Sequence, residues 1–400
     1  MIETETESMA HGGEAIARIA GRVCFVAGAL PGERVGVEVV EDRGSWVRAR
    51  LVEVVEPSPS RVEPPCPHFG PCGGCTWQYA AYAAQLAWKQ DVVAGQLRHL
   101  GRVEEPEVAP TVPTTPYGYR NRMDFSVADG SPALHRAGSH DLEPLRLCLL
   151  LEPPLAALFD RLGDLTGVER LTLRAGDDGL LAVVRGAVPE QAGSWSASVA
   201  QATRTGVTPV VGDHRVALEV AGAHLRVTGT NFFQVNREGA AALVRLVAGA
   251  LDPGPDDTLL DAYAGVGLFA ATVGTAAGRV LAVESGRSST EDLVHNLGQA
   301  GIDAAVARGR VERILRESGE AWDLAVCDPP RRGLGAEGVA AIVAGGPRAI
   351  AYVSCDPAAL ARDTRLLADT GYRFERATPV DLFPQTYHVE AVALFSRASQ

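Results

Sequence analysis

The sequence predicts an α/β protein in which a parallel sheet follows two other regions. Strand and helix patterns alternate from about residue 231 onwards, which is typical of a parallel sheet covered by helices on both faces. Near the N-terminus, short strands alternate with Gly and Pro turns, which indicates a small β-barrel. We therefore expect three domains, at residues 1–57, 58–230 and 231–400.

Composition limits the function classes. The chain has 400 residues, of which 46% are hydrophobic and 22% charged, and its net charge is −12. The acidity disfavours a protein that coats nucleic acid non-specifically, but it allows an enzyme with a local basic groove. No apolar run is long enough to span a membrane, and the acidic start has no signal-peptide pattern, so we expect a cytoplasmic protein.

The first fifty-seven residues contain the barrel pattern. We expect strands at Arg22–Val26, Arg34–Val39 and Val47–Val55, with turns between them. The run Gly13-Glu-Ala-Ile-Ala-Arg18 and the turns that follow resemble the TRAM domain, an OB-like RNA-binding barrel. Because the segment is acidic, a barrel without any nucleic-acid role stays open as the alternative.

Three cysteines follow a Pro- and Ser-rich linker at residues 56–65. Cys66, Cys72 and Cys75 lie within ten residues, and two glycines between the last two let the backbone fold tightly. A fourth ligand would complete either a [4Fe–4S] cluster or a zinc site. Cys148 is the candidate for it, because His68 lies too close to the cysteines in sequence. The iron–sulfur cluster is our expectation and zinc the alternative.

The middle region carries one segment with the chemistry of RNA contact. A helix is expected at residues 81–100, capped at Gly101. After it, the segment Pro116-Tyr-Gly-Tyr-Arg-Asn-Arg122 interleaves aromatic rings and arginines, which can stack on bases and hold phosphates. Tyr119, Arg120 and Arg122 are the candidate contacts. A solvated turn with an aromatic anchor is an equally good interpretation of this segment alone.

A nucleotide site is predicted in the third domain. The loop Asp261-Ala-Tyr-Ala-Gly-Val-Gly267 follows a strand and opens a helix, and Gly265 and Gly267 allow a nucleotide to approach the backbone. A third glycine is missing, so a dinucleotide is not favoured. Glu284 ends the next strand, where a carboxylate can accept from both ribose hydroxyls. This is the arrangement that binds S-adenosylmethionine.

Two further strand ends carry reactive groups. Asp328-Pro-Pro-Arg331 is close to a motif of amino methyltransferases but lacks its aromatic residue, and Arg331 could instead bind a phosphate or a carbonyl oxygen. Cys355 follows the strand pattern Ala349–Val353, where open α/β sheets place their ligands. By itself, a small buried cysteine would be the simpler interpretation.

Taken together, in their order and spacing, the motifs resemble the RNA (uracil-5-)-methyltransferases, in the subgroup with a TRAM domain and a [4Fe–4S] cluster. The resemblance covers nearly the whole chain. The motifs are Cys66-x5-Cys72-Gly-Gly-Cys75-Thr-Trp-Gln78, Tyr119-Arg-Asn121, Asn231-Phe-Phe-Gln-Val-Asn236, Asp328-Pro-Pro-Arg331, Ser354-Cys-Asp-Pro357 and His388-Val-Glu390.

The resemblance implies a Rossmann-like class I methyltransferase sheet behind a TRAM barrel and a central α+β domain with the iron–sulfur site. It also implies a role for each matching residue. The implied cluster ligands are Cys66, Cys72, Cys75 and Cys148, the implied S-adenosylmethionine contacts are Gln234, Tyr263, Glu284 and Asp328, the nucleophile is Cys355 and the general base is Glu390. Leu268, Arg310 and Leu149 depart from the common pattern, the first two near the adenine and the third beside Cys148.

The expected reaction is methylation of uracil C5 in RNA, giving 5-methyluridine. A thiolate at Cys355 would add to C6, and Glu390 would remove the C5 proton after methyl transfer. Arg331 and Arg332 are candidates for holding the uracil carbonyls or the RNA. We expect a flipped uridine in 23S ribosomal RNA, with transfer RNA as the alternative, and a monomeric enzyme. An N-methyltransferase and a non-catalytic RNA-binding protein are the rival functions.

Overall fold

The computed structural model describes residues 1–204 and 206–398. Within them, the strands form a closed five-stranded barrel, a seven-stranded sheet, a two-stranded hairpin and a second seven-stranded sheet. No helix in this described part is long and apolar enough to cross a membrane.

The barrel begins earlier than the strand pattern indicated. Its strands are β1 Ile2–Met9, β2 Ala15–Ile19, β3 Arg22–Ala27, β4 Arg34–Asp42 and β5 Trp46–Glu56. The three expected strands are present, but β1 was not predicted, because its Glu-Thr repeat buries only Thr6 and Met9. It closes the barrel by pairing with β2 and β4.

The segment between barrel and cysteines is anchored rather than loose. Arg61 donates from Nε to Glu33 Oε1 over 2.5 Å and from Nη2 to Glu33 Oε2 over 2.8 Å. Glu33 is fully buried, and burial alone would raise its pKa, but the bonds from Arg61 and from the Leu30 and Ser58 amides lower it. Trp77 and Tyr79, which follow the cysteines, complete the apolar core of the barrel.

A twisted sheet forms most of the middle region. Its strands are β6 Arg122–Ala128, β7 Ser131–His135, β8 Leu142–Pro144, β9 Val168–Ala175, β10 Leu180–Gly186, β11 Ser198–Ala202 and β12 Val207–Val211, and its helices are α1 Tyr82–His99 and α2 Pro153–Phe159. The sheet order is β12-β11-β10-β9-β6-β7-β8.

The end of α1 corrects one sequence expectation. The left-handed residue there is Arg102, with φ 57°, and not Gly101. A Cβ on Gly101 would lie 2.6 Å from the Leu97 carbonyl oxygen and 3.2 Å from that of Ala361. The glycine therefore permits close packing of the α1 end against the C-terminal region.

The C-terminal sheet is mostly parallel. A hairpin precedes it, with β13 Arg215–Val220 and β14 Ala223–Thr228. The sheet strands are β15 Thr258–Ala262, β16 Arg279–Glu284, β17 Ala304–Arg308, β18 Leu324–Cys327, β19 Ala349–Ser354, β20 Tyr372–Val380 and β21 Glu390–Arg397. The helices are α3 Arg237–Leu251, α4 Leu268–Thr272, α5 Arg287–Ala300, α6 Val311–Ser318, α7 Gly335–Ala344 and α8 Pro357–Asp369.

The strand order is β17-β16-β15-β18-β19-β21-β20. Strands β15 to β19 pair in parallel, whereas β21 pairs antiparallel with both β19 and β20. The alternation of strands and helices agrees with the sequence prediction, but β17 and α6, which are short, were not predicted. Because β21 lies beside β19, the first residue of β21 meets the carboxyl end of β19.

Candidate active site

The carboxyl ends of the parallel strands open into a cavity of about 590 Å³. The sheet order reverses between β15 and β18, so the cavity lies at the switch point where open α/β sheets bind ligands. The sequence-predicted residues that line it are Gln234, Tyr263, Gly265, Glu284, Asp328, Arg331, Arg332, Cys355 and Glu390.

The glycine loop after β15 has two glycines with different tasks. Gly265 has φ 57°, and a Cβ there would meet no atom within 4 Å, so its backbone is open to a ligand. Gly267 has φ 96° and does not line the cavity; its Cβ would lie 2.7 Å from Leu293 Cδ1. The structure therefore gives Gly267 a packing role against α5.

Glu284 lies at the end of β16, as expected. Its Oε2 accepts from the Gly265 amide over 3.0 Å, and its Oε1 accepts from the Gly286 amide over 2.5 Å. These two bonds hold the carboxylate at the cavity wall and tie the glycine loop to the neighbouring strand. A carboxylate held in this way is pre-organised to accept from ligand hydroxyls.

The segment before α3 supplies another wall. Gln234 donates from Nε2 to Asp328 Oδ2 over 3.4 Å, which joins this segment to the end of β18. Asn121 donates from Nδ2 to the Gln234 carbonyl over 3.1 Å, and its own amide donates to Val235. Asn121 is fully buried, so it positions the Gln234 backbone from below.

Cys355 and Glu390 are brought together by strand pairing. Ser354 at the end of β19 pairs with Ala391 of the antiparallel strand β21. Cys355, which follows Ser354, and Glu390, which precedes Ala391, therefore lie at the same end of the sheet. Burial raises the pKa of the Cys355 thiol to about 12, with further increases from Glu390 and Asp328, while Arg331 lowers it. The cysteine is therefore a thiol in the free protein, with carboxyl groups beside it.

Three acids lie at the base of the cavity, which we call its floor: Asp328 and Glu390 line the cavity, and the fully buried Asp261 does not. Burial raises the pKa of Asp261 and that of Asp328 to about 7 each. Glu390 is 2% exposed, and burial followed by the charge of Asp328 raises its pKa well above the usual value. Asp261 Oδ2 accepts from the Ala270 amide over 2.8 Å, but Oδ1 is buried without a partner. No ion pair to these three acids occurs among the described residues. The floor therefore suits a cationic ligand.

Glu312 is a site residue that the sequence analysis missed. It is 5% exposed at the start of α6, and its Oε1 accepts from the Tyr263 hydroxyl over 3.2 Å. Arg332 lies 3.8 Å from the same carboxylate. Tyr263 itself has φ 65°, a conformation that is strained for a non-glycine residue. The sequence does carry a signal for α6, because Val311, Ile314 and Leu315 have helical spacing, and recognising that short helix would have placed Glu312 at its start.

The loop at residues 381–389, which leads to Glu390, is held from helix α1. Lys89 Nζ donates to Asp381 Oδ1 over 2.5 Å and to the Phe383 carbonyl over 3.2 Å. Gln85 Nε2 donates to Gln385 Oε1 over 3.0 Å, and the backbone amide of Gln385 donates to Gln85 Oε1 over 3.0 Å. Lys89 is the only lysine in the chain and is fully buried.

The same loop is held by the segment that follows the cysteines. The amides of Thr76 and Trp77 donate to the Gln385 carbonyl over 2.9 Å and 3.0 Å. The Tyr119 hydroxyl donates to the Pro384 carbonyl over 3.1 Å. The cysteine region and the end of the catalytic sheet therefore form one connected framework.

Comparisons with known proteins agree with this geometry. The family model described as tRNA (Uracil-5-)-methyltransferase matches residues 310–398, and that of the TRAM domain matches residues 2–52. A 23S rRNA (uracil(1939)-C(5))-methyltransferase RlmD of Edwardsiella ictaluri is 33% identical over 100% of this chain and 96% of its own. The chain belongs to the RNA (uracil-5-)-methyltransferase family.

Two other similarities bear on this RNA methyltransferase. An uncharacterized RNA methyltransferase of Streptomyces avermitilis is 38% identical over 100% of this chain and 98% of its own. The crystal structure of Pyrococcus abyssi tRNA (uracil-54, C5)-methyltransferase in complex with S-adenosyl-L-homocysteine has a TM-score of 0.79 and 23% identity. It covers 98% of this chain and 100% of its own, and shows that the fold is shared. The expected TRAM barrel is confirmed.

The four predicted cluster cysteines of this RNA methyltransferase line one small cavity. The cavity also contains His68, whose Nε2 accepts from the Arg146 amide over 3.1 Å. Burial raises the pKa of the Cys75 thiol to about 12. Within residues 1–204 and 206–398, no three His, Cys, Asp or Glu side chains form a group that could hold a metal ion. The four thiols thus surround a space but do not converge on one point.

The five residues predicted to contact RNA fall into two groups, one exposed and one packed against the walls of the site. Arg331 and Arg332 are exposed at the mouth of the cavity. Tyr119 is 5% exposed, so its ring is not available for stacking on a base in this structure. Arg120 lies over the Phe383 ring at 5.8 Å, and Arg122 donates to the Asn231 carbonyl over 3.1 Å. These three residues support the walls of the site, and we do not include them in an RNA surface.

Proposed function

We propose that this enzyme methylates C5 of a uridine in 23S ribosomal RNA through a covalent bond between Cys355 and uracil C6. The supporting observation is the pairing of β19 with β21, which brings the thiol and the Glu390 carboxyl to one wall of the cavity. A thiol beside a basic carboxylate is the pair that the reaction requires, since uracil C5 becomes nucleophilic only after addition at C6.

The cofactor fits the residues that are present. S-adenosylmethionine, when bound, supplies an electrophilic methyl group on a positively charged sulfur. Glu284 and the open backbone of Gly265 would hold its ribose and nucleoside part. Asp328 lines the cavity and has no ion-pair partner among the described residues, so its carboxylate would offset the positive sulfur.

The thiol must first lose its proton. Because the pKa of Cys355 is raised to about 12, the thiolate would form only when the proton passes to a neighbouring carboxylate. Asp328 is in position to take this proton, which leaves Glu390 as a carboxylate for the last steps, and Asp328 can return the proton when the cysteine is released. The Cys355 sulfur would then bond to C6, and the electrons of the C5–C6 double bond would move onto the O4 carbonyl as an enolate. When C5 attacks the methyl group, the bond between that methyl group and the sulfonium sulfur would break, and neutral S-adenosylhomocysteine would leave.

Glu390 would act as the base in the last steps. After transfer, C5 carries a methyl group and a proton, and the Glu390 carboxylate removes that proton. The electrons re-form the C5–C6 double bond, and the bond from C6 to the Cys355 sulfur breaks. A carboxylate with a raised pKa is a stronger base than an ordinary one, and burial raises the pKa of Glu390.

Trapping with 5-fluorouridine RNA tests the covalent step, because fluorine cannot leave C5 as a proton. Wild-type enzyme should form an adduct at Cys355 that is stable to denaturation, and Cys355→Ala should form none. Glu390→Gln should accumulate an adduct with ordinary RNA. Cys24→Ala, which alters the barrel core, is the matched control and should behave as wild type. Turnover by Cys355→Ala would reject the nucleophile.

Ribosomal RNA is proposed because a relative that aligns over the full chain carries that substrate in its name, whereas the transfer-RNA enzyme at 23% identity shows the fold alone. Mapping 5-methyluridine in ribosomal and transfer RNA from a deletion strain tests this. Loss of the modification from transfer RNA only would contradict the proposal.

We also propose that Cys66, Cys72, Cys75 and Cys148 hold a [4Fe–4S] cluster. The supporting observation is that all four thiols line one cavity, and four cysteine thiolates are the usual ligand set of such a cluster, with a four-cysteine zinc site as the alternative. Anaerobic purification followed by iron, sulfide and zinc analysis distinguishes the two metals. Stoichiometric zinc without sulfide would contradict the cluster.

A further inference from the structure

A second cavity, of about 150 Å³, lies on the other side of Cys355. Cys355, Arg331 and His388 line both this cavity and the large one, so the nucleophile forms part of the wall between them. The volume has room for about ten water-sized spheres, enough for part of a nucleotide.

The barrel builds the outer wall of this second cavity. His11 and Gly12, from the turn between β1 and β2, line it directly. Gly13 allows the turn to approach closely, since a Cβ there would lie 2.8 Å from the Tyr387 side chain. Trp77 Nε1 donates to the Gly13 carbonyl over 3.1 Å and fixes the turn in place. The barrel therefore contributes to a cavity that touches the nucleophile.

The remaining walls combine aromatic rings with one exposed cation. The rings of Tyr387 and His388 lie 4.3 Å apart at 42°. Burial, and then the charge of Arg331, lowers the pKa of His388 to about 4, so this ring is neutral at physiological pH. His11 Nε2 lies 3.5 Å from Oδ2 of Asp356, the one carboxylate in the wall. Neutral rings beside an arginine can stack a base and hold its phosphate.

The path of the RNA favours this place for a neighbouring nucleotide. In the proposed function, the flipped uracil occupies the large cavity against Cys355, together with the methyl donor. The backbone on at least one side of the uridine must then leave past Cys355, and the second cavity is directly adjacent there.

We propose that the second cavity binds the nucleotide adjacent to the target uridine, with its base against Tyr387 and its phosphate near Arg331, and that the barrel turn at His11 completes this subsite. The inference rests on the proposed function and adds a determinant of which uridine is chosen. The barrel would thereby contribute to substrate choice at the active site itself.

The test uses 23S ribosomal RNA stem-loops that contain the target uridine in unmethylated form. An abasic residue is placed on the 5′ side of this uridine, on its 3′ side, or on neither side. For wild-type enzyme, one abasic neighbour should lower kcat/KM by roughly 5- to 150-fold, the range for loss of one stacked base. Tyr387→Ala should lower kcat/KM on the intact RNA by a similar factor and should show little further loss on that abasic RNA. Tyr387→Phe should restore the wild-type pattern.

Controls separate this subsite from general damage. S-adenosylmethionine affinity and thermal unfolding should match between Tyr387→Phe and wild type, and His99→Ala, an exposed change at the end of α1, should leave all ratios unchanged. Equal losses by Tyr387→Ala on intact and abasic RNA would overturn the subsite while leaving the proposed function intact. Absence of any adduct between wild-type enzyme and intact 5-fluorouridine RNA would overturn both.

Discussion

Replacing Lys89 with methionine removes one partner of a fully buried ion pair. Lys89 and Asp381 each have 0% side-chain exposure, and their atoms Nζ and Oδ1 are 2.5 Å apart. Burial lowers the pKa of Lys89 and raises that of Asp381, and in each group the attraction of the partner opposes this shift. The pair is thus costly to bury, and its carboxylate has a second oxygen without a partner.

The expected loss of stability follows from the charge left behind. Removing one partner of a buried pair costs about 3–5 kcal/mol, since the other charge is then buried and unpaired. The Lys89→Met change also removes the bond to the Phe383 carbonyl, which holds the loop before Glu390. A misplacement of about 1 Å at a reacting group can cost about 100-fold in rate. We therefore expect a reduced kcat in addition to reduced stability.

Urea unfolding followed by tryptophan fluorescence and single-turnover methylation measure the two effects. The double variant Lys89→Met/Asp381→Val removes both charges and should recover most of the stability. Its rate should stay low, because the bond from helix α1 to the Phe383 carbonyl is still missing and only the local bonds from Thr386 remain on that carbonyl. Since Lys89 is the only lysine, amine-selective labelling of wild type, read at the Lys89 peptide by mass spectrometry to exclude the N-terminal amine, also reports on opening of this region. Unfolding of Lys89→Met within about 1 kcal/mol of wild type, or equal losses in single and double variants, would refute the reasoning.

Three other expectations follow from the site. Alkylation of Cys355 at pH 8 should be roughly 60-fold slower than that of an ordinary thiol, because its pKa of about 12 lowers the thiolate fraction more than it raises the nucleophilicity of the thiolate. The alkylation rate should rise about tenfold per pH unit. Peptide mass spectrometry measures the rate, and a plateau near pH 8 would contradict the prediction. Folding raises the pKa of Asp261 to about 7, so the free energy of unfolding should fall by on the order of 4 kcal/mol as pH rises from about 4 to about 7. Asp261→Asn should flatten the dependence of the unfolding free energy on pH in this window. An unchanged slope would show that the Asp261 carboxyl is not buried in the folded protein. Gly265→Ala places a methyl group in the open space of the cavity at φ 57°, so we expect backbone strain of roughly 1–2 kcal/mol. Because that methyl group would occupy ligand space, S-adenosylmethionine should bind at least about tenfold more weakly, as measured by calorimetry. Wild-type affinity would mean that the ligand does not approach this backbone.

Much of the fold was readable because periodic patterns are local. The strand Thr258–Ala262, the glycine loop and the helix at residues 287–300 were all placed correctly from apolar spacing and turn residues. The first barrel strand was not, because a strand with polar residues on its outer face and few buried ones has almost no apolar signal. Helix α6 was missed for a different reason: its apolar residues have helical spacing, but with eight residues it is short, and Glu312 was missed with it.

The sequence by itself determined the reactive groups: a cysteine and a glutamate at strand ends, a glycine loop followed by an acidic residue, and a cysteine cluster. Only the tertiary structure decided how they act, because contacts between distant segments depend on packing. Pairing of β19 with β21 joins Cys355 to Glu390, and burial makes the cysteine a thiol rather than a thiolate. Burial also turns Tyr119 from a candidate RNA contact into a support for the loop before Glu390, since its hydroxyl bonds Pro384, 265 residues away in the chain.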